Sequence, residues 1–117
     1  MQSKEIAIRL ARALDAKKAL NVHILAVEDL TTVTEYFVIA TGTSTTHVGA
    51  LADEAEFQLD REGVKVLRTE GHDGKRWVLL DYGCIAIHVF NAEAREFYGL
   101  ERLWRDGKSL DLTGIVD

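Results

Sequence analysis

The chain is poor in the residues and segments that build linkers, disulfides and membrane spans. It contains no proline and one cysteine, so neither a proline-rich linker nor an internal disulfide is expected. No apolar run reaches the roughly eighteen residues of a membrane span, and no charged-then-apolar leader stands at its start. These absences predict a cytoplasmic protein, and the single thiol, Cys84, fits a reducing compartment.

Basic residues are too few and too dispersed for a nucleic-acid-binding surface. Fourteen Lys and Arg stand against nineteen Asp and Glu, which gives a net charge of −5, and no basic run exceeds two residues. RNA phosphates and anionic membranes both require clustered cations, so neither is expected as a direct partner. With 117 residues, 47% of them hydrophobic, the chain fits one globular domain whose acidic surface suits a basic protein.

The order of predicted elements is helix, strand, strand, helix, three strands, helix. Ser3 caps the first helix, and the almost uninterrupted apolar residues 22–27 predict a central strand covered on both faces. Residues 37–40 form the second strand, and residues 64–69 form a third strand near an edge. Tightly connected strands run antiparallel, whereas strands joined through a helix can run parallel. The expected fold is therefore a single α/β (α+β) domain with a mixed five-stranded sheet and helices packed on it.

The turn at residues 41–44, Thr-Gly-Thr-Ser, offers an alternative function. It leads into a helix that a hydroxyl residue among 44–46 caps, and free backbone N–H groups at such a turn can bind an anion. Nucleotidyltransferases place a similar turn before a helix, but they also need paired acidic residues on a strand. Asp81 stands alone here, so transferase activity is disfavoured while a divergent nucleotide-binding or nucleotidyltransferase-like domain remains the alternative.

Other catalytic and metal-binding arrangements are disfavoured by spacing. The four histidines lie in separate elements without CxxC, HxH or HExxH spacing, so no metal ion and no cofactor are expected. Ser44 and His47 lie within one turn of a helix start, where capping explains them without a hydrolase triad. Cys84 and His88 share a strand face but stand about 13 Å apart along it, too far for a nucleophile and its base.

Two apolar segments, residues 77–81 and 85–90, predict an antiparallel hairpin near the end of the domain. If residues 82–83 form its loop, Trp77 pairs with His88. Because side chains alternate with period two, one face mixes aromatic with ionisable groups: Trp77, Asp81, His88 and Phe90. The opposite face is aliphatic and is the expected core: Val78, Leu80, Ile85, Ile87 and Val89.

The last helix is capped by Asn91, and Gly99 predicts a kink or an end near Tyr98, because glycine costs about 1 kcal/mol inside a helix. Three apolar residues recur at helical spacing and either pack this helix on the sheet or belong to an interface: Phe97, Leu100 and Trp104. Residues 105–117 lose the pattern and are expected to be a loosely attached tail or an edge extension. The domain itself would then span residues 1–104.

Several ordered sequence blocks carry a resemblance to a known family. They are Glu-Tyr-Phe-Val-Ile at 35–39, the turn at 41–44, Glu-Gly at 70–71, Trp-Val-Leu-Leu-Asp-Tyr-Gly at 77–83, His-Val-Phe at 88–90 and Arg-Glu-Phe-Tyr-Gly-Leu-Glu-Arg-Leu-Trp at 95–104. In this combination the chain resembles the ribosomal silencing factors, the Iojap-like or RsfS family, over nearly all of residues 1–104. One departure is Cys84, where the family usually has another aspartate.

The resemblance implies a binding protein rather than an enzyme. It implies a small mixed-sheet domain related in fold to nucleotidyltransferases but without their acidic catalytic set, and it implies no cofactor. Family members attach to the large ribosomal subunit through ribosomal protein fourteen of that subunit, and thereby block joining of the small subunit. Translation is repressed in this way, typically when nutrients are scarce. The resemblance also allows a homodimer.

The residues expected to contact the partner follow from the aromatic strand face and the last helix. Interfaces favour tryptophan and tyrosine at their centres, and an acidic rim suits a basic partner. The predicted contacts are Trp77, Asp81, His88, Phe90, Tyr98, Leu100 and Trp104. Two acidic residues are expected to pair with Lys or Arg of the partner: Glu70 and Glu101.

Overall fold

The computed structural model describes residues 3–29, 32, 34–71, 74–99 and 108–109. These residues form three helices, α1 (Ser3–Ala16), α2 (Thr45–Arg61) and α3 (Ala92–Tyr98), and six strands, β1 (Leu20–Ala26), β2 (Tyr36–Gly42), β3 (Arg68–Glu70), β4 (Trp77–Asp81), β5 (Ile85–Asn91) and β6 (Lys108–Ser109). The predicted order of the first eight elements is confirmed. The short strand β6 adds to it.

The strands form one mixed sheet in the order β3-β4-β5-β2-β1-β6. Strands β2 and β5 pair in parallel, and all the other described pairs are antiparallel. The mixed sheet of five predicted strands is confirmed, with β3 at one edge as expected, although β3 begins at Arg68 and not at residue 64. The prediction that residues 22–27 form the central strand is wrong, because the parallel pair of β2 and β5 occupies the middle and β1 lies next to the edge.

Strand β6 belongs to the segment that was expected to be a tail or an edge extension. Lys108 and Ser109 pair with Ala26 and Leu25 of β1, so these two residues extend the sheet at its edge. The division of the chain at residue 104 stays a prediction.

Helices α1 and α2 pack on the same side of the sheet, here called the helical face. Their apolar stripes follow the helical period. On α2 the apolar spacing of the sequence predicts a buried face, and all of its residues are buried: Val48, Leu51, Ala52, Ala55 and Leu59. On α1 the apolar spacing of the sequence predicts a buried stripe of Ile6, Leu10, Ala13 and Leu14. Three of these are buried, whereas Ala13 is only partly buried and Ala7 and Ala11 complete the stripe. The aliphatic residues of the predicted hairpin face meet these helices and are confirmed as core: Val78, Leu80, Ile85, Ile87 and Val89.

The other side of the sheet, here called the aromatic face, carries a smaller cluster. It contains Leu25, Val27, Phe37, Ile39, Ala86, Phe90 and Ala94, with Trp77 and Leu79 packed against it and partly buried. Helix α3 contributes Ala94 to this cluster. The helix begins at the end of β5, where Ala94 N–H donates to the Asn91 Oδ1 cap (2.8 Å), and it ends before Gly99, as predicted.

The hairpin of β4 and β5 has a register two residues away from the predicted one. Trp77 pairs with Phe90 rather than with His88, so that prediction is wrong. Tyr82 N–H donates to the Ile85 carbonyl (2.9 Å), and the loop therefore consists of Gly83 and Cys84. Gly83 adopts a φ of +84°, which glycine tolerates at the first position of a two-residue hairpin loop. A shift of two keeps every side chain on its predicted face.

Candidate binding surface

Four rings form the centre of the aromatic face. Trp77 stacks on its cross-strand partner Phe90, with ring centroids 5.0 Å apart and planes inclined by 26°. Phe37 of β2 meets the His88 ring edge-on at 5.0 Å, and Trp77 lies 5.8 Å from His88. Rings in these arrangements stabilise each other beyond the area that they bury. The cluster brings together three residues that the sequence placed on one face.

The rings of this cluster differ in solvent exposure. Phe90 is fully buried and His88 is only 5% exposed, whereas Trp77 is half-buried. The predicted direct contact of His88 and Phe90 with a partner would therefore require the face to open, because the sheet and the neighbouring rings enclose them. As the fold stands, only Trp77 of this cluster offers surface to a partner.

A hydrogen bond connects the exposed ring to the buried one. Trp77 Nε1–H donates to His88 Nδ1 at 3.0 Å. Burial lowers the pKa of His88 to about 4, although the nearby Asp81 carboxylate acts in the opposite direction. The imidazole is therefore neutral at pH 7, and its proton lies on Nε2 because Nδ1 accepts. Nε2 is buried, and no hydrogen-bond partner is present for it among the described residues.

Charged side chains lie at the β3 and β4 side of the aromatic face. Arg68 pairs with Asp81 in the strand register, and its Nη2 lies 3.8 Å from Asp81 Oδ2. Asp81 Oδ1 accepts a hydrogen bond from Gly83 N–H (2.9 Å), so this carboxylate also shapes the hairpin loop. Glu70 is exposed on the same side. The sequence analysis predicted Asp81 and Glu70 as contacts but not Arg68. Arg68 lies on the same face as Glu70 because side chains alternate along β3.

Helix α3 and the residues after it hold the remaining predicted contacts. Phe97 is 76% exposed, so the alternative that it packs the helix on the sheet is wrong. Four predicted contacts fall outside the described side chains: Tyr98, Leu100, Glu101 and Trp104.

The position of α3 depends on Arg95, whose Nη1 donates to Thr41 Oγ1 (2.7 Å) and to the Asn21 carbonyl. No sequence pattern indicated these two hydrogen bonds, because one of them depends on a β-bulge in β1, where Asn21 has a φ of +48°.

The turn at residues 41–44 uses its polar groups within the chain. Thr43 N–H donates to His47 Nδ1 (2.9 Å), and His47 N–H donates to Ser44 Oγ (3.1 Å). His47 Nε2 then donates to the Lys17 carbonyl (2.8 Å), which joins the end of α1 to the start of α2. A Cβ at Gly42 would lie 2.8 Å from Val48 atoms, so close packing on α2 requires this glycine. Helix capping therefore accounts for this turn without an anion.

The described residues provide no alternative chemistry for a cofactor or a membrane. Within the ranges given above, no group of three or more His, Cys, Asp or Glu side chains is arranged to hold a metal ion. None of the helices in the described part of the chain combines the length and the apolar character of a membrane crossing.

Proteins of known sequence and structure match almost the whole chain. A family model described as ribosomal silencing factor during starvation (RsfS) matches residues 1–117. The chain belongs to the RsfS family. Ribosomal silencing factor RsfS of Bacillus subtilis is 40% identical over 112 residues, which cover 96% of this chain and 95% of that protein. The chloroplastic protein Iojap of Zea mays is 28% identical over 106 residues, or 46% of its own length.

A solved structure supports the fold of this RsfS chain. The crystal structure of a protein from Chromobacterium violaceum has a TM-score of 0.85 at 34% identity, covering 95% of this chain and 92% of that chain. The predicted family and fold class are confirmed. RsfS proteins are non-enzymatic, ribosome-binding regulators of translation, so the prediction that this chain is not an enzyme is also confirmed.

Proposed function

We propose that this RsfS protein represses translation by binding ribosomal protein fourteen of the large subunit and blocking the small subunit sterically. The observation that carries the proposal is a half-exposed Trp77 held on a buried aromatic cluster beside acidic side chains. Rigid aromatic anchors of this kind dominate the binding energy of protein interfaces. The full-length match to a bacterial silencing factor supports the same conclusion.

Charge favours a basic protein as the direct partner. The chain carries a net charge of −5, and the exposed Glu70 and the half-buried Asp81 lie on the face that presents Trp77. Acidic side chains at an interface rim steer a basic partner and repel RNA phosphates. We therefore propose contact with the basic ribosomal protein without a direct requirement for nucleic acid, in the cytoplasm and away from membranes. On sequence grounds, four further residues join this interface: Tyr98, Leu100, Glu101 and Trp104.

Co-sedimentation with purified large ribosomal subunits tests the proposal. Wild-type protein should pellet with the subunits and should reduce the yield of joined ribosomes when small subunits are added. Trp77→Ala should weaken both effects by about tenfold or more, because it removes the central anchor. Phe57→Ala is the matched control, since Phe57 is an aromatic residue 55% exposed on α2 and should be replaceable without loss. Full pelleting of Trp77→Ala would exclude this surface.

Two further measurements separate the proposal from its alternatives. A pull-down with purified ribosomal protein fourteen should capture the wild-type chain, and failure here with intact pelleting would assign binding to another ribosomal component. Calorimetry with nucleotides and Mg²⁺ should give no binding heat at millimolar ligand, because the Thr43 N–H and the Ser44 hydroxyl of the turn already have partners within the chain. Light scattering with and without the ribosomal protein shows whether a homodimer forms and whether it competes with binding.

A further inference from the structure

We infer that His88 is a positioning residue, whose Nδ1 holds the Trp77 indole in the orientation that meets the ribosomal partner. The inference rests on the proposed function, because it assigns Trp77 as the anchor. It changes the role of His88 from a predicted direct contact to a support beneath the surface.

Two contacts restrict the Trp77 ring in different ways. Stacking on Phe90, with centroids 5.0 Å apart, restricts the plane of the indole, but a flip of the ring about χ2 would keep this plane and exchange its two edges. The hydrogen bond from Nε1–H to His88 Nδ1, at 3.0 Å, turns the Nε1 edge toward His88 and selects one of these two orientations. A half-exposed side chain is thereby held in one orientation before a partner arrives.

The surroundings of His88 explain why an imidazole stands at this position. The residue pairs with Ile39 of β2 and Leu79 of β4 in the middle of the sheet, and its ring faces Phe37 and Phe90. An aliphatic side chain would suit such neighbours, because Nε2 is left without a partner among the described residues. Among the described contacts, the imidazole makes one hydrogen bond, in which Nδ1 accepts the Trp77 N–H.

The protonation state of His88 agrees with this role. An acceptor at Nδ1 requires the neutral ring with its proton on Nε2. Burial lowers the pKa of His88 to about 4, so the acceptor is present throughout the physiological pH range.

A preordered anchor binds more tightly because the partner need not immobilise it. Fixing one flexible side chain on association changes the dissociation constant by about threefold to tenfold. Loss of the His88 acceptor should therefore weaken binding by this amount, which is less than the loss expected when the indole itself is removed.

A set of variants in the full chain tests the inference against purified large subunits. His88→Leu removes the acceptor and should raise the dissociation constant about threefold to tenfold, while the Trp77 indole N–H resonance shifts and exchanges faster with solvent. His88→Asn places an amide oxygen near the position of Nδ1. It should therefore restore part of the binding affinity and part of the indole N–H signal of the wild type. In a Trp77→Phe background, which has no N–H to hold, His88→Leu should cause no additional loss. Trp104→Phe assigns the two indole resonances.

The outcomes are distinct from those of the proposed function. Unchanged binding and an unchanged indole resonance in His88→Leu would overturn the inference, as would an equal loss in the Trp77→Phe background. If His88→Leu does not fold, nitrogen NMR of the wild-type His88 ring decides, because a proton on Nδ1 is incompatible with the acceptor role. If the wild-type chain does not bind subunits, the proposed function fails, whereas the indole and ring resonances still test the His88 to Trp77 bond.

Discussion

At the scale of single residues, His88 makes the stability of the fold dependent on pH. Its pKa is about 4 in the folded protein, below the ordinary 6.5, so the unfolded chain binds more protons between these values. The stabilising contribution is complete above pH 6.5 and is lost as the pH falls toward 4. Between pH 7.5 and 5 the free energy of unfolding should fall by about 2 kcal/mol from this residue alone.

Urea denaturation at these two pH values measures the effect. His88→Leu supplies the control, because carboxylates titrate in both proteins and only the wild type has the buried imidazole. The variant should lose less stability on acidification. Parallel pH profiles for the two proteins would show that His88 binds the same number of protons in the folded and unfolded chains, which contradicts the lowered pKa of the folded state.

Gly71 is a second residue on which the binding surface depends. It adopts a φ of +84°, and a Cβ added there would lie 1.9 Å from the Trp77 carbonyl oxygen. Gly71→Ala should therefore lower the free energy of unfolding by roughly 2–4 kcal/mol and displace the start of β4. Gly74→Ala is the matched control, since a Cβ at Gly74 meets nothing within 4 Å. Thermal unfolding of both variants checks the prediction, and equal stability would contradict it.

At the scale of elements, hydrogen bonds of Arg95 hold α3 on the sheet. This seven-residue helix buries Ala94, whereas Phe97 points largely into solvent. Arg95→Met removes the hydrogen bonds to Thr41 and to the Asn21 carbonyl, and should cost roughly 1–3 kcal/mol. Hydrogen exchange should accelerate in the α3 amides first. Arg12→Met, at an exposed site on α1, should leave α3 protection unchanged, and equal protection in both variants would contradict this role of Arg95.

Local signals in the sequence predicted the elements well and their partners less well. Ser44 and Asn91 cap their helices as expected, because capping depends on residues within one turn. The hairpin register was missed by two residues, since either Tyr82 or Cys84 can flank Gly83 in a two-residue loop. The bulge at Asn21 was not predicted, because it follows from pairing with β2 rather than from the composition of β1.

The candidate surface was predicted only in outline, because the sequence pattern shows which residues share a face but not which of them are covered. Alternation correctly placed Trp77, His88 and Phe90 on one face, as the ring contacts confirm. Their burial could not be read from periodicity, because it depends on which elements cover each face of the sheet. The separation of an exposed indole from a buried imidazole is a tertiary property. It follows from the insertion of β5 between β4 and β2.

At the scale of the whole molecule, the two faces of the sheet differ in the size of their apolar clusters. Helices α1 and α2 cover the helical face with the larger apolar cluster, which supplies most of the hydrophobic stabilisation. The aromatic face has a smaller cluster and, among the described residues, one short helix. If the aromatic face binds the ribosome as proposed, its exposed side chains can change while the helical face keeps the domain folded.

The parallel pairing of β2 with β5 also determines when the aromatic face can form during synthesis of the chain. Tyr36 pairs with Ile85, and Gly42 pairs with Asn91, across the whole of α2, β3 and β4. Such distant segments meet only after both have emerged from the exit tunnel, and long-range pairing is slow compared with local structure. A nascent chain that ends before β5 lacks His88 and Phe90, so it has no support for Trp77. The aromatic face can therefore form only after β5 has been synthesised.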